Sequence, residues 1–443
     1  MVLNKRQAVD QAHQMLKWRE YEQLRIDRVY RYWRGEQPFL WIPEGVPSEV
    51  RKMADMSRLN VLKFIVDAAA QAMYVDGFRG RRAGEDEPVW DVWQANRMDS
   101  RQIELHRATL AFGSAYMSVF PGQMNGSPIP RMRPASPRKI TAVYGEDDDW
   151  PIWVLEKRRT AEGEMYRLMD DEAIYWLGRN STMGKLEFVS VDEHGAGVPP
   201  VVRYRDQGEI DGEVLGQVEP HIPLQDQINL TTFALLVAQH YGAHRQRYII
   251  GWLAESEEKA LKASAQRLWT FEDDPNDVKV GEFEQTDLKG YIDNREATVR
   301  FLATLSQTPV HEMLGQMVNM AADALAAARD SHNRKLEEHR TMAGESHEQT
   351  LQLAGQYLGI EPDLGSWVRW RDMETRTLAQ TADALGKFAE MLGIPRKALW
   401  ERAADALGAS QQEVAEWERM AEQGDPFEAL QRELDRQVAD LGA

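Results

Sequence analysis

The chain has 443 residues, a formal net charge of −18 and no cysteine. The lack of cysteine excludes disulfides, zinc ribbons and thiol catalysis. The acidity excludes tight binding of nucleic acid over the whole surface, so the protein either does not meet DNA or meets DNA without gripping it. The length predicts about two or three domains. There is neither a run of about eighteen apolar residues nor an apolar secretory signal, which predicts synthesis in the cytoplasm.

The first half of the sequence predicts helices followed by a β-rich insertion. Apolar residues recur at helical spacing over 5–34. This helix is expected to end at Gly35, which can adopt the left-handed conformation, and Pro38 prevents its continuation. Further helices are predicted at 57–73, 88–96 and 100–112. Short runs rich in Val, Ile, Tyr and Trp predict an antiparallel meander with strands at 115–120, 140–144, 152–158, 164–169, 172–177, 186–191 and 201–205.

The second half is predicted to be mostly helical. Helical patterns cover 224–244 and 293–306. The segment between them predicts a small helix at 256–269 and strands near Val278 and Phe283. Thr308-Pro309 precedes a loop rich in Met and Gly. This loop is predicted at 310–319. A long helix is predicted from Met320 to about Tyr357, with a kink near Gly344. Four further helices are predicted: one at 375–392, one at 396–407, one that begins at Ser410 and one that begins at Asp425. The patterns together predict an α+β fold that is predominantly helical.

Two sequence patterns resemble catalytic loops but lack a required residue. The segment from Gly178 to Lys185 is one residue too long for a nucleotide-binding loop, and Leu186 stands where a magnesium ligand belongs. It also lies between predicted strands, which favours a hairpin tip. His311-Glu312 begins like a zinc-peptidase helix, but Gly315 stands where the second histidine is required.

Other candidate metal ligands are also incomplete. His240 and His244 are four residues apart on a predicted helix, but no third ligand is evident, so structural or solvent-facing histidines are favoured. The acidic run from Glu146 to Asp149 matches no calcium-loop spacing and favours a solvated turn. No G-x-S-x-G elbow occurs. The sequence therefore makes no positive case for catalysis, a cofactor or a metal.

Two blocks near the N-terminus form the most distinctive pattern. The first is Tyr32-Trp33-Arg34-Gly35-Glu36-Gln37-Pro38-Phe39, and the second runs from Asn60-Val61 through Ile65-Val66-Asp67 to Val75-Asp76-Gly77-Phe78. From physical chemistry alone these blocks favour a buried structural corner. Together they resemble the N-terminal signature of portal proteins of long-tailed bacteriophages. The resemblance extends over nearly the whole chain through Gly197 to Val202, Asp226, Asn229 and Thr308-Pro309.

The resemblance implies a fold and a function. The implied parts are a wing at 1–221 with a helical base and a β-rich insertion, a first stem helix at 222–251, a small α/β clip at 252–292, a second stem helix at 293–307, a tunnel loop at 308–320, a long wing helix at 321–345 and a helical crown at 346–443. In this family the subunits form a dodecameric ring at one capsid vertex, through which double-stranded DNA is packaged and ejected. The implied partners are other copies of the chain, DNA in transient contact, the major capsid and scaffolding proteins, the terminase large subunit and the head–tail adaptor. No enzymatic activity or membrane contact is implied, and the expected location is the virion.

The resemblance assigns the tunnel loop to the narrowest part of the DNA channel. Its candidate residues are Val310, His311, Glu312, Met313, Leu314, Gly315, Gln316, Met317, Asn319 and Met320. Flexible Met and Leu side chains could contact the DNA backbone without ion pairs. The alternative is a hydrophobic turn buried in a helical core.

Basic residues are locally concentrated in three places. These groups are Arg131, Arg133, Arg138 and Lys139; Lys157, Arg158 and Arg159; and Arg245 with Arg247. Ordinary surface charge balance is the simpler interpretation of each group. Arg245 and Arg247 follow a long predicted helix directly before the inserted segment, which makes them candidates for contact with the channel or the adaptor. Two other classes of function stay open: a metal-dependent hydrolase with an unrecognised site, and another virion structural protein such as a minor capsid component.

Overall fold

The fold is α+β and predominantly helical, as predicted. The computed structural model describes residues 2–38, 42, 45–80, 86–146, 149–161, 163–179, 185–208, 214–242, 247–250, 279–282, 287–315, 322–361, 363–371, 378–407, 409 and 411–423. The helices are α1 Lys5–Arg34, α2 Ser48–Met56, α3 Val61–Gln71, α4 Asp86–Ala95, α5 Met98–Phe112, α6 Ile222–Gly242, α7 Lys289–Leu305, α8 Val310–Leu314, α9 Ala322–Tyr357, α10 Leu378–Met391, α11 Arg396–Leu407 and α12 Gln411–Gln423. The strands are β1 Val75–Arg79, β2 Ser114–Phe120, β3 Gln123–Met124, β4 Ser127–Pro128, β5 Arg131–Ala135, β6 Ile140–Tyr144, β7 Pro151–Thr160, β8 Gly163–Met169, β9 Ala173–Arg179, β10 Leu186–Glu193, β11 Val201–Arg205, β12 Arg247–Ile250, β13 Lys279–Glu282 and β14 Trp367–Trp370.

The chain divides into two units by its internal contacts. The first unit contains 1–30, 64–220 and 329–443, and the second contains 31–63 and 221–328. In the second unit α6 packs against α7, and β12 pairs antiparallel with β13.

A five-stranded antiparallel sheet in the first unit confirms five strands of the predicted meander, whereas the strands predicted at 115–120 and 201–205 pair with each other in a second sheet. The strand order of the five-stranded sheet is β10-β9-β8-β7-β6, so each strand lies beside its neighbour in sequence. Ala8, Ala12 and Met15 recur at helical spacing along α1 and form one buried cluster with Tyr166 and Tyr175 of the sheet. Burial of this stripe explains why the N-terminal segment forms a helix against this sheet.

A second core in the first unit joins a smaller sheet to helices from distant parts of the sequence. This sheet has the order β11-β2-β5, and β1 pairs separately with β14. Trp93, Leu105, Met117, Tyr204 and Leu351 belong to the same buried cluster. Residues from α4, α5 and α9 therefore share one core with both groups of strands.

Several predicted boundaries are wrong, each for a local reason. The helix predicted at 57–73 begins at Val61, because Ser57 ends the unpredicted helix α2 by donating its Oγ to the Ala54 carbonyl oxygen at 2.8 Å. The helix predicted to reach 251 ends at Gly242, and Arg247–Ile250 instead pairs as a strand with Lys279–Glu282. The predicted small helix at 256–269, together with Val278 and Phe283, lies outside the described residues.

The region after Thr308-Pro309 also differs from its prediction. Residues 310–319 were predicted as a loop, but Val310–Leu314 forms the short helix α8. Pro309 precedes its first turn, and the Pro309 carbonyl oxygen accepts from the backbone N–H groups of Glu312 and Met313 at 3.1 and 3.3 Å. The predicted long helix is confirmed as α9, which continues through Gly344 without interruption.

Candidate functional site

The first N-terminal block, Tyr32 to Phe39, includes a tight turn at the end of α1, as predicted. Gly35 has φ +72°, and the Glu36 N–H donates to the Arg31 carbonyl oxygen at 2.7 Å. A Cβ atom at Gly35 would lie 3.1 Å from Nδ2 of Asn60. The same Asn60 Nδ2 donates to the Trp33 carbonyl oxygen at 2.9 Å. The glycine thus supplies both the left-handed backbone and the space that Asn60 requires.

The second block is held by two buried amide side chains of α6. Gln225 Oε1 accepts from the backbone N–H groups of Val61 and Leu62, at 3.0 and 3.2 Å. These two N–H groups belong to the first turn of α3, so Gln225 caps that helix from a distant part of the sequence. Asn229 Oδ1 accepts from the Leu59 N–H at 3.1 Å and from Gln225 Nε2 at 2.9 Å.

One further bond joins the end of α1 to α6. The Tyr32 hydroxyl lies 2.9 and 3.0 Å from the two carboxylate oxygens of Asp226. We call this assembly the corner: Tyr32, Gly35, Asn60, Gln225, Asp226 and Asn229. The sequence prediction of a buried structural corner is confirmed, and the corner lies within the second unit. Sequence reasoning missed Gln225, although it singled out the nearby Asp226 and Asn229.

The candidate channel residues are only partly described. Val310 to Leu314 form α8, in which no side chain is fully buried, and Gly315 ends it with φ +64°. His311 Nε2 lies 3.8 Å from Glu312 Oε1. Gln316, Met317, Asn319 and Met320 lie outside the described residues.

The other candidate sites occupy surface or ordinary structural positions. Strands β9 and β10, which flank the segment that resembles a nucleotide-binding loop, pair antiparallel with Arg179 opposite Leu186, and residues 180–184 lie outside the described residues. His240 Nε2 lies 3.8 Å from a carboxylate oxygen of Glu49, whereas His244 lies outside the described residues. Asp147 and Asp148 lie outside them too. Among the described residues no group of three or more His, Asp and Glu could hold a metal, and no helix is long and apolar enough to cross a membrane.

The three basic groups are only partly described, and two of their members pair with carboxylates. Arg138 pairs with Asp27 at 3.5 Å, and its guanidinium lies 3.7 Å from the centre of the Tyr30 ring. Lys157 pairs with Glu164 at 2.6 Å. Arg247 is the first residue of β12, and Arg245 lies outside the described residues. Arg131 and Arg133 line a pocket whose described lining does not include Arg138.

Known proteins resemble this chain over most of its length. The portal protein of Mycobacterium phage D29 is 25% identical over 404 residues, which cover 84% of this chain and 81% of that protein. The portal protein of Mycobacterium phage L5 is 26% identical over 412 residues, which cover 85% and 81%. Among solved structures, the virion of a native gene transfer agent particle gives a TM-score of 0.49 at 15% identity, covering 83% of this chain and 95% of that one. The neck of an empty gene transfer agent particle gives 0.49 at 16% identity, covering 80% and 96%.

The family assignment follows from a match to a whole-family sequence model. The model describes phage portal proteins of the SPP1 Gp6-like type and matches residues 13–426. This span includes the corner, the described strands and both helices that flank β12 and β13. The chain belongs to the SPP1 Gp6-like family of phage portal proteins, which are structural proteins of the phage head.

Proposed function

We propose that this protein forms a closed, dodecameric ring at one capsid vertex and provides the channel for packaging and ejection of double-stranded DNA. The observation that carries the proposal is the family match over residues 13–426. In this proposal the ring docks the terminase large subunit during packaging and then the head–tail adaptor, and it contacts the major capsid and scaffolding proteins. The protein acts without catalysis of its own and is located in the virion.

The division into functional parts is also a proposal. The wing is 1–221, the first stem helix lies in 222–251, the clip is 252–292, and the second stem helix lies in 293–307. The tunnel loop is 308–320, the long wing helix is 321–345, and the crown is 346–443. The corner supports this division, because Gln225, Asp226 and Asn229 fix the first part of α6 to the end of α1 and the start of α3. In the proposed ring, stem helices that line the channel would need such a rigid attachment while DNA moves past them.

Exposed apolar side chains support a ring, because a cyclic assembly needs two different contact surfaces on each copy. On α1, Tyr21 is 84% exposed and Leu24 is 79% exposed, and their spacing places them on one helix face. On α7, Phe301 and Leu305 are 64% and 67% exposed, four residues apart. Large apolar groups this exposed are typical of surfaces that another protein covers.

The net charge of −18 is compatible with transient contact to DNA. A channel that held phosphates through many ion pairs would have to break them at every step of translocation. Repetition of the acidic charge around a ring strengthens the repulsive field near the channel, within the limits of salt screening. Partly exposed Met313 and Leu314 on α8 could contact the duplex without forming ion pairs.

Electron micrographs of the purified protein test the proposal. We expect end-on particles that show an annulus with a central hole, and a native mass that corresponds to a dodecamer. A sample that stays monomeric or dimeric at high protein concentration would contradict the ring. A closed ring with another number of subunits would contradict only the stoichiometry.

A further inference from the structure

An arginine-rich pocket lies in the first unit, at the start of α5 and beside the β3–β5 segment. Its volume is about 430 Å³. Arg97, Arg101, Arg131 and Arg133 contribute to its lining, and no acidic residue does. Arg131 and Arg133 lie on β5, whereas Arg97 and Arg101 come from the start of α5, so the fold brings together two pairs that are about thirty residues apart in sequence.

The positive charge of the pocket is not neutralised by the described residues. None of these four arginines pairs with a carboxylate in the described part of the chain. Asp99, in the first turn of α5, accepts instead from the Trp93 indole N–H at 3.1 Å. Burial lowers the pKa of Arg133, and the nearby charges of Arg101 and Arg131 lower it further. A positive surface of this kind is unusual in a chain with a net charge of −18, and it favours an anionic partner.

Two of the arginines are held in fixed orientations. Arg101 Nη1 donates to the Asn96 carbonyl oxygen at 2.6 Å, and Arg133 Nη1 donates to the Met132 carbonyl oxygen at 2.7 Å. Asn96 is buried, and its side chain bonds the backbone at Met132 and Pro130, at 2.9 and 2.7 Å. The other guanidinium nitrogens of Arg101 and Arg133 therefore stay available for a ligand with little loss of side-chain freedom on binding.

The lining favours a protein carboxylate over nucleic acid. A guanidinium group can donate two parallel hydrogen bonds to either a carboxylate or a phosphate, so its geometry alone does not distinguish the two. No aromatic side chain lines the pocket for base stacking, and a single concave pocket does not follow a phosphate backbone. Met124 and Ile129 contribute apolar surface. A segment that carries acidic side chains next to apolar ones fits this mixture.

Strand β10 carries acidic side chains next to exposed apolar ones. It is the last strand of the described five-stranded sheet, so one of its edges has no strand partner there. Val189 is 57% exposed and Val191 is 40% exposed, and Asp192 and Glu193 follow directly and are exposed as well. Within β10, Val191 and Glu193 lie on one face.

We propose that the arginine pocket of one copy receives the acidic end of β10 from a neighbouring copy. The inference rests on the proposed ring, since it assigns one of the contacts between adjacent subunits. Glu193 would accept from the guanidinium groups while the valines cover Met124 and Ile129. The two surfaces differ, as the heterologous contact of a cyclic assembly requires.

Cross-linking tests this contact, because the chain contains no cysteine and only introduced thiols would react. We expect the double variant Arg131→Cys with Glu193→Cys to give a ladder of covalent oligomers after oxidation or treatment with a short bismaleimide. The matched control combines Glu193→Cys with Arg159→Cys, an exposed position on β7 outside the pocket, and should give no ladder. Rings without a ladder in the first variant would overturn the contact and leave the ring intact. The absence of rings in the wild type would contradict both proposals.

Charge exchange gives a second measurement. Arg131→Glu and Glu193→Arg should each weaken subunit association at least about tenfold, because each places like charges together. The variant with both changes should recover most of that loss. Equal association of all four proteins, measured by sedimentation at matched salt, would overturn the proposal. Failure of the double variant to recover, with its thermal stability unchanged, would overturn it too.

Discussion

Tyr32 and Asp226 are 194 residues apart in sequence, yet the Tyr32 hydroxyl lies 2.9 and 3.0 Å from the two carboxylate oxygens of Asp226. Tyr32 is only 5% exposed, so water has little access to its side chain and can hardly substitute for this hydrogen bond. Tyr32→Phe keeps the ring and removes the donor. We expect it to lower the free energy of unfolding by about 1–2 kcal/mol, because the partly buried Asp226 carboxylate loses the hydrogen bond from a buried hydroxyl. Urea denaturation followed by circular dichroism measures this change.

Tyr21→Phe is the matched control, since Tyr21 is 84% exposed on α1. Its unfolding midpoint should equal that of the wild type within error. Equal midpoints for Tyr32→Phe and the wild type would show that the bond to Asp226 adds nothing to stability.

Gly35 gives a second prediction about the corner. Gly35→Ala should destabilise the protein by about 1 kcal/mol or more, because φ is +72° and the new Cβ would lie 3.1 Å from Asn60 Nδ2. Gly290→Ala is a useful comparison, since Gly290 lies in α7 with nothing within 4 Å of an added Cβ. That change should stabilise by about 0.5–1 kcal/mol. Thermal melts that shift in the same direction for both variants would contradict this account.

The sequence predicted the corner only in part. A glycine after a helical pattern, followed by proline, is a local signal, so the end of α1 could be predicted from residues that are neighbours in the chain. The partners could not, because Gln225 and Asp226 meet Val61 and Tyr32 only after the chain has folded. A single sequence carries no signal for such long-range hydrogen bonds. The family resemblance selected Asp226 and Asn229, and the structure adds Gln225, which directly precedes Asp226.

Strands that the sequence does not predict escape prediction for the same reason, because their partners are distant in the chain. The sequence predicts no strand at Val75–Arg79 and a helical region around Trp367–Trp370, yet these two segments pair antiparallel across nearly three hundred residues. Each is too short for a clear alternating pattern. Arg131–Ala135 contains proline and two arginines, which disfavour a strand in sequence. It forms an edge strand, where Asn96 and Arg101 bond its backbone.

Two buried histidines predict a loss of stability in acid. His106 Nδ1 lies 3.1 Å from the Met73 carbonyl oxygen and must donate to it, so its Nε2, 2.9 Å from His347 Nε2, is the acceptor of a neutral pair. Burial lowers the pKa of His106 to about 4 and that of His347 well below its usual value. The unfolded chain, with histidine pKa values near about 6.5, then binds protons that the folded chain does not. Unfolding free energy should therefore fall as pH falls from about 6.5 to about 4, by up to about 1.4 kcal/mol per pH unit for each histidine.

The measurement is urea denaturation at several pH values across that window. His106→Gln combined with His347→Gln should lower stability at neutral pH and flatten its dependence on pH. His13→Gln, at an exposed position of α1, should keep the slope of the wild type. If the double variant kept that slope as well, the acid sensitivity would come from other groups.

Met313 and Leu314 give a prediction about the channel. Both are partly exposed on α8, and in the proposed ring every copy presents them to the duplex. Met313→Asp combined with Leu314→Asp adds two negative charges per copy, and a ring repeats them around the DNA phosphates. We expect rings of normal appearance in electron micrographs but much less packaged or retained DNA, measured as nuclease-protected DNA in assembled particles. Leu364→Asp is the control, because Leu364 is 88% exposed and outside the proposed tunnel loop, and it should package normally. Normal packaging by the α8 variant would refute the assignment of these residues to the channel, whereas loss of the ring would assign them to subunit assembly.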